Sequence, residues 1–168
     1  MKKLIAYFSK DGENYFDGKV KTLKIGNTEI VANIIHELTD ADMFKIEPAA
    51  PYSNDYYELT KEAKRENDNE ERPAIFNVVE DMDQYDTIYL GFPNWFGSFP
   101  RIISTFIESY DLKGKTIKPF CTSEGSGLGF AQKELEAMLK KNNVKEGISI
   151  LSSDVLNCKD EIKNWILK

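Results

Sequence analysis

At 168 residues, 41% of them hydrophobic and 30% charged, the chain is long enough to bury a sizeable core and has the balance of a globular protein in water. A formal net charge of −6 speaks against a nucleic-acid surface, which needs a basic face, and suits a docking partner with a basic patch. No apolar run approaches the ~18 residues that span a bilayer, so membrane insertion is not expected.

The apolar start Leu4-Ile5-Ala6 is cut off by Ser9-Lys10-Asp11 after about five residues, short of the ~7 of a signal core. It predicts a first strand, Leu4 to Phe8, in a cytoplasmic protein. Asn27-Thr28-Glu29 then opens a helical pattern with Ile30, Val31, Ile34, Ile35 and Leu38 on one face. Met43 to Ile46 alternates as a second strand. Residues 48–74 are polar and tyrosine-rich, with a helix expected from Tyr56 to about Asn67. Thr87 to Phe92 is a third strand, followed by a helix marked by Ile102, Ile103, Phe106 and Ile107, with Pro100 in its first turn. Lys115 to Thr122 is a fourth strand, weakened by Pro119, and Phe130 to Lys141 a helix. Gly147 to Leu151 is a fifth strand, and the last helix starts at Asn157 or Cys158. Strands alternating with helices across one domain, residues 1–168, predict an α/β three-layer sandwich around a five-stranded parallel sheet.

Cys121 and Cys158 are too few and too far apart for a disulfide framework or a metal site. The only histidine, His36, follows Ile34-Ile35 and reads as a residue on a helix surface.

In an open parallel sheet, ligands sit beyond the carboxyl ends of the strands. Three loops leave those ends here. After the first strand come Ser9, Lys10, Asp11 and Gly12, and then, past a polar excursion, Gly26-Asn27-Thr28 at a helix start. Such a start offers unpaired amides and a partial positive charge to a phosphate; capping of the helix by Asn27 or Thr28 is the simpler alternative. After the third strand, Leu90 to Pro100 reads LGFPNWFGSFP. Its glycines and prolines predict a surface loop that exposes Trp95 and Phe96, as core, contact patch or stacking plate. The fourth strand leads into Thr122-Ser123-Glu124-Gly125-Ser126-Gly127-Leu128-Gly129, a turn expected to present many amides; its GxGxG spacing misses the dinucleotide fingerprint.

In Tyr7-Phe8-Ser9, Gly26-Asn27-Thr28, Pro93-Asn94-Trp95-Phe96-Gly97 and Thr122 to Gly127, the chain resembles the flavodoxin family along nearly its whole length. That resemblance implies strand order 2-1-3-4-5 and bound FMN. It also implies that Ser9, Lys10, Gly26, Asn27 and Thr28 hold the phosphate region, and that Trp95 stacks on the ring with Pro93, Asn94, Phe96 and Gly97 at its edge. Thr122, Ser123, Glu124, Gly125, Ser126 and Gly127 line the pyrimidine side, with Glu124 the nearest acidic group. Two departures stand out. About sixteen residues, Lys10 to Ile25, separate Ser9 from Gly26, and no second aromatic lies between Thr122 and Gly129. The second departure leaves one ring face for a substrate, or for Tyr52 or Tyr56. The expected function is electron transfer between redox partner proteins, with no catalytic acid or base of the chain's own. The alternatives are an FMN-dependent NAD(P)H:quinone-type reductase acting on a small quinone-like substrate, and a flavin-free binding module.

Overall fold

The computed structural model describes residues 2–168. Strand β1 (Lys2–Tyr7) leads into an antiparallel hairpin of β2 (Gly12–Phe16) and β3 (Lys19–Leu23), then helix α1 (Asn27–Thr39). Strand β4 (Asp42–Lys45), helix α2 (Tyr56–Asp68), strand β5 (Tyr85–Pro93) and helix α3 (Arg101–Glu108) follow. The chain closes with β6 (Thr116–Ser123), α4 (Ala131–Met138), two short strands β7 (Asn143–Val144) and β8 (Ile148–Leu151), and α5 (Lys159–Ile166).

The main sheet is parallel in the order β4-β1-β5-β6, with β7 and β8 sharing the fifth position beside β6. This is the expected three-layer sandwich with a five-position sheet, but its fifth strand is broken. Pro119 supplies the physical reason. Ile117 accepts from the Lys145 amide at 2.8 Å, so the odd-numbered backbone groups here face the fifth position. Pro119 has no N–H to offer at the next such rung, and the pairing lapses there between Val144 and Ile148.

Alternation along the strands divides the core in two. Leu4, Ala6, Ile88, Leu90 and Cys121 pack under α3 and α4, against Ile102, Ile103, Phe106 and Leu135. Ile5, Tyr7, Tyr89 and Phe120 pack under α1 and α5, against Val31, Ile35, Ile162 and Trp165. Each large apolar side chain buried this way contributes roughly 1.5–3 kcal/mol.

The stretch from Leu90 to Pro100 departs from the expected surface loop. Strand β5 continues to Pro93, whose partner is Thr122, and Phe92 and Phe99 are core. Gly91 is there for space: a Cβ at that position would stand 2.1 Å from the Phe120 ring. Pro100 sits one residue earlier than expected, as the residue before α3. Helix α4 ends at Met138, short of Lys141, because the Asn142 side chain donates to the carbonyls of Leu112 and Lys115 and turns the chain into β7. His36 is exposed on α1, as read, with Nδ1 2.8 Å from the Ala41 carbonyl oxygen.

Helix α2 docks through a buried polar pair, the Tyr52 hydroxyl donating to Glu66 at 2.7 Å. Burial is the largest influence on Glu66 and, with Glu71 and Glu62 nearby, holds its carboxyl above the usual range despite the Tyr52 bond. A folded-state value above the unfolded one means stability present at low pH and lost as pH rises through the folded value. Glu66→Gln keeps an acceptor for Tyr52 without the charge. Urea midpoints of the two proteins should coincide at acid pH, with the Gln variant the more stable at neutral pH. Gly91→Ala should lower stability by about 1–3 kcal/mol, the cost of overpacking, in the same measurement.

Candidate functional site

The carboxyl ends of β1, β5 and β6 meet at one edge of the sheet. At β1, Ser9 and Gly26 are in contact across the intervening hairpin: a Cβ on Gly26 would stand 2.2 Å from Ser9 Oγ and 2.7 Å from the Lys10 carbonyl oxygen. Gly26 is the N-cap residue of α1 and has no side chain to cap with. Ser9 Oγ does so from a distance, accepting from the Glu29 amide at 3.1 Å. Capping by Asn27 or Thr28 is thereby ruled out: both are already helical, and Thr28 Oγ1 lies 2.8 Å from Thr122 Oγ1. With Glu29 taken, the amides of Asn27 and Thr28 are the helix's remaining first-turn donors that no intrahelical carbonyl can reach.

At β5 the chain makes a two-residue turn, Trp95–Ser98, closed by bonds in both directions between Trp95 and Ser98. Phe96 (φ 54°) and Gly97 (φ 82°) both occupy the left-handed region, which is costly for Phe. Asn94 holds this turn in place. Its Oδ1 accepts from Gly97 N at 3.0 Å and its Nδ2 donates to the Gly127 carbonyl at 2.7 Å. Gly97 O in turn accepts from Phe130 N at 2.7 Å. Asn94 and Gly97, expected at a ligand's edge, thus spend most of their polar groups joining two loops. Trp95 is half-buried and less exposed than expected. Phe8 and Tyr52 meet its ring edge-on, at centroid distances of 5.3 and 5.2 Å.

At β6, Ser123 Oγ accepts from the amides of Gly125 (3.3 Å) and Gly127 (3.0 Å). These two amides therefore turn inward, against the expectation that the loop presents them to a ligand. Glu124 has a structural role besides its place at the cleft: its Oε2 accepts from Asp17 N at 2.9 Å and clasps the tip of the β2–β3 hairpin. Below the turn, burial pushes the Cys121 thiol up to about 12, so it carries no thiolate at neutral pH.

These ends enclose a cavity of about 240 Å³. Lys10, Asn27, Thr28, Pro93, Asn94 and Trp95 form one part of its wall, and Thr122, Ser123, Glu124 and Ser126 the other. Ser9, Gly26, Phe96, Gly97, Gly125 and Gly127 stand outside the lining and shape it from behind or at the rim. The hairpin and α2 bring three further residues to the wall, Asn14, Tyr15 and Tyr56, and the chain just past β8 brings Ser152. Tyr15 and Tyr56 lie side by side, centroids 6.0 Å apart and planes tilted by 32°. Tyr52 is not on this wall; it braces Trp95 from behind. The hairpin was readable from Asp17-Gly18 between alternating residues, since both take the positive φ of a two-residue turn. Lys10 is buried, and burial holds its ammonium below the usual lysine value, partly offset by Asp11, Glu62 and Glu13.

Gly26→Ala forces Ser9 away from the start of α1. The loss should be about 1–3 kcal/mol in urea unfolding, with amide shifts concentrated at Asn27, Thr28 and Glu29.

A flavodoxin family model matches residues 2–168. Among solved structures, a candidate flavoprotein from Bacteroides uniformis is 33% identical over 99% of this chain and 98% of its own, with a TM-score of 0.78. Another from Bacteroides eggerthii is 33% identical over 96% and 97%, with a TM-score of 0.74. A Lactobacillus acidophilus flavoprotein solved in complex with FMN is 20% identical over 98% of each chain, with a TM-score of 0.67. No curated protein matches the chain. No helix among the described residues is long and apolar enough to cross a membrane. With the family model spanning the chain, the protein belongs to the flavodoxin family.

Proposed function

We propose that the cavity at the carboxyl ends of β1, β5 and β6 binds FMN and that the protein passes electrons between redox partner proteins through it. The observation that carries this reading is the pairing of two unlike surfaces in one cleft. The start of α1 offers two unspent amides beside Thr28 and Thr122, and Trp95 offers an indole held in a fixed plane. A phosphate suits the first surface and a flat ring suits the second.

Asn27, Thr28, Thr122 and Ser126 would hold the phosphate and its chain, with Lys10 adding a positive charge from the hairpin side. Trp95 would lie against the ring, with Tyr15 and Tyr56 lining the remainder of the cavity. FMN, when bound, supplies the redox chemistry, taking up and releasing electrons. The chain's part is to exclude water and to keep these contacts in place. Phe8 and Tyr52 prevent Trp95 from turning, and Asn94 prevents the loop beside it from drifting. Tyr15 and Tyr56 occupy the side that a second, substrate ring would need, which favours the carrier over the reductase. Phe96 and Phe130, 47% and 68% exposed, leave an apolar rim beside Gly97 where a partner protein can approach.

Titration of the flavin-free protein with FMN should quench tryptophan fluorescence in a saturable way. Riboflavin, which lacks the phosphate, should bind at least about tenfold more weakly, and Thr28→Ala should cost FMN a factor of about ten, the value of one hydrogen bond to a charged group. Equal affinity for FMN and riboflavin would sink the phosphate assignment. NADPH oxidation with a quinone, catalysed by the purified protein alone at enzyme-like rates, would replace the carrier with the reductase.

A further inference from the structure

A second cavity, of about 390 Å³, opens beside the break in the fifth strand position. Lys118, Lys145 and Lys168 line it, together with Gly147, Trp165 and the exposed Glu146 and Glu161. Lys118 lies four residues before Thr122 on the same face of β6, roughly 13 Å along the strand. The cavity therefore stands apart from the cleft at the strand ends and does not depend on FMN binding there.

The two carboxylates offset the three ammonium groups of the wall only in part, so its side chains keep a net positive charge. Lys118 is only 9% exposed. One of its three donors is spent on the Ile166 carbonyl at 2.8 Å, near the end of α5. Its ammonium also stands 5.9 Å from the centre of the Trp165 ring. Among the described residues, no carboxylate lies within ion-pair distance of Lys118, Lys145 or Lys168. The charged groups acting on Lys118 are Lys145 and Lys3, both positive, and they add to burial in disfavouring its ammonium form. The carboxyl end of α5 offers Lys118 about half a negative charge, against its one full buried ammonium. Burying the Lys118 cation costs several kcal/mol unless an anion accompanies it, whereas Lys145 and Lys168 keep contact with solvent. The backbone amides at the break are already committed, Lys145 N to Ile117 O and Gly147 N to Gln132 Oε1. The ammonium groups, with the side-chain amide of Asn164, are thus the donors left for a guest.

We propose that this cavity is a second binding site, taking a small multivalent oxyanion of the diphosphate class through Lys118, Lys145 and Lys168. Such a group occurs free, as pyrophosphate, or as the end of a nucleoside diphosphate.

The test uses the full chain, 15N-labelled and saturated with FMN. It follows the Trp165 indole N–H, which donates to the Glu146 carbonyl at 2.9 Å, and the Gly147 amide. Pyrophosphate, ADP and adenosine are titrated separately at constant ionic strength in chloride. Saturable shifts at both positions, with none at Asn27 or Thr28, are expected for pyrophosphate or ADP and not for adenosine. Tighter saturation by pyrophosphate assigns a free anion; tighter saturation by ADP assigns a nucleotide's diphosphate. Lys118→Met should abolish the shifts. Because that variant strands the Ile166 carbonyl, the double variant Lys145→Gln/Lys168→Gln is the safer arm, weakening binding by about fivefold or more. Shifts that stay linear, that chloride reproduces, or that the double variant leaves unchanged overturn the site. If the chain takes up no FMN, the same titration on the flavin-free protein still decides, since the Asn27 and Thr28 amides report the other cleft separately.

Discussion

Everything at the sheet edge depends on Ser9 lying against Gly26. In sequence the two are separated by a whole hairpin, yet in space the ends of that insertion meet as closely as a missing Cβ allows. The closure is local: β2 and β3 pair with each other and not with the main sheet, so the insertion leaves the β1–α1 junction undisturbed. Ser9 then caps a helix that its own N-cap glycine cannot cap. Close approach of the two chain segments and a cap for the helix compete at position 26, and moving the cap to Ser9, just past β1, satisfies both. Of the first-turn amides of α1, Ser9 takes only that of Glu29 and leaves those of Asn27 and Thr28.

The same economy governs the other two loops. Polar groups that look free in the sequence are mostly committed to one another: Asn94 to Gly97 and Gly127, Ser123 to Gly125 and Gly127, Glu124 to Asp17. A loop whose groups are already paired need not be ordered when a ligand arrives, and that preorganisation lowers the entropy cost of binding. Phe96 shows the cost on the other side of the balance. A phenylalanine in the left-handed region carries strain of order 1–3 kcal/mol, and it persists because the bonds around it leave no alternative.

The fold was legible in the sequence wherever burial alone set the pattern. The apolar runs at Leu4 to Phe8 and Thr87 to Phe92 predict strands covered on both faces, and Leu4 to Tyr7 and Thr87 to Phe92 form them. Reading was poorest where one residue had to satisfy two demands. Phe92 and Phe99 belong to the core, but the glycines and prolines around them imitate a surface loop. Pro119 does not interrupt its own strand, which runs from Thr116 to Ser123; the consequence falls on the neighbouring strand, which composition cannot express. At the cleft, Thr28, Thr122 and Trp95 stand out by residue type at the strand ends, and the family resemblance is what assigns them to a ligand. Tyr15 and Tyr56 are not legible as a pair, because only the hairpin's fold-back brings them together, and its Asp17-Gly18 turn is the sole clue to that fold-back.

That fold-back bears on what kind of flavodoxin-family protein this is. The hairpin is fastened at its tip by Glu124 and near its base by Glu13, which accepts from the Tyr56 amide at 2.8 Å. Two anchors on separate elements make it a wall and not a swinging arm. A reductase must admit a second planar molecule face-on, and such a wall stands in the way. A carrier needs only an edge at which a partner protein can come close, and the exposed Phe96 and Phe130 lie at such an edge, beside Gly97 and away from the hairpin's anchors. On the proposed reading, the insertion that interrupts the phosphate loop is also what restricts the flavin to exchange with partner proteins.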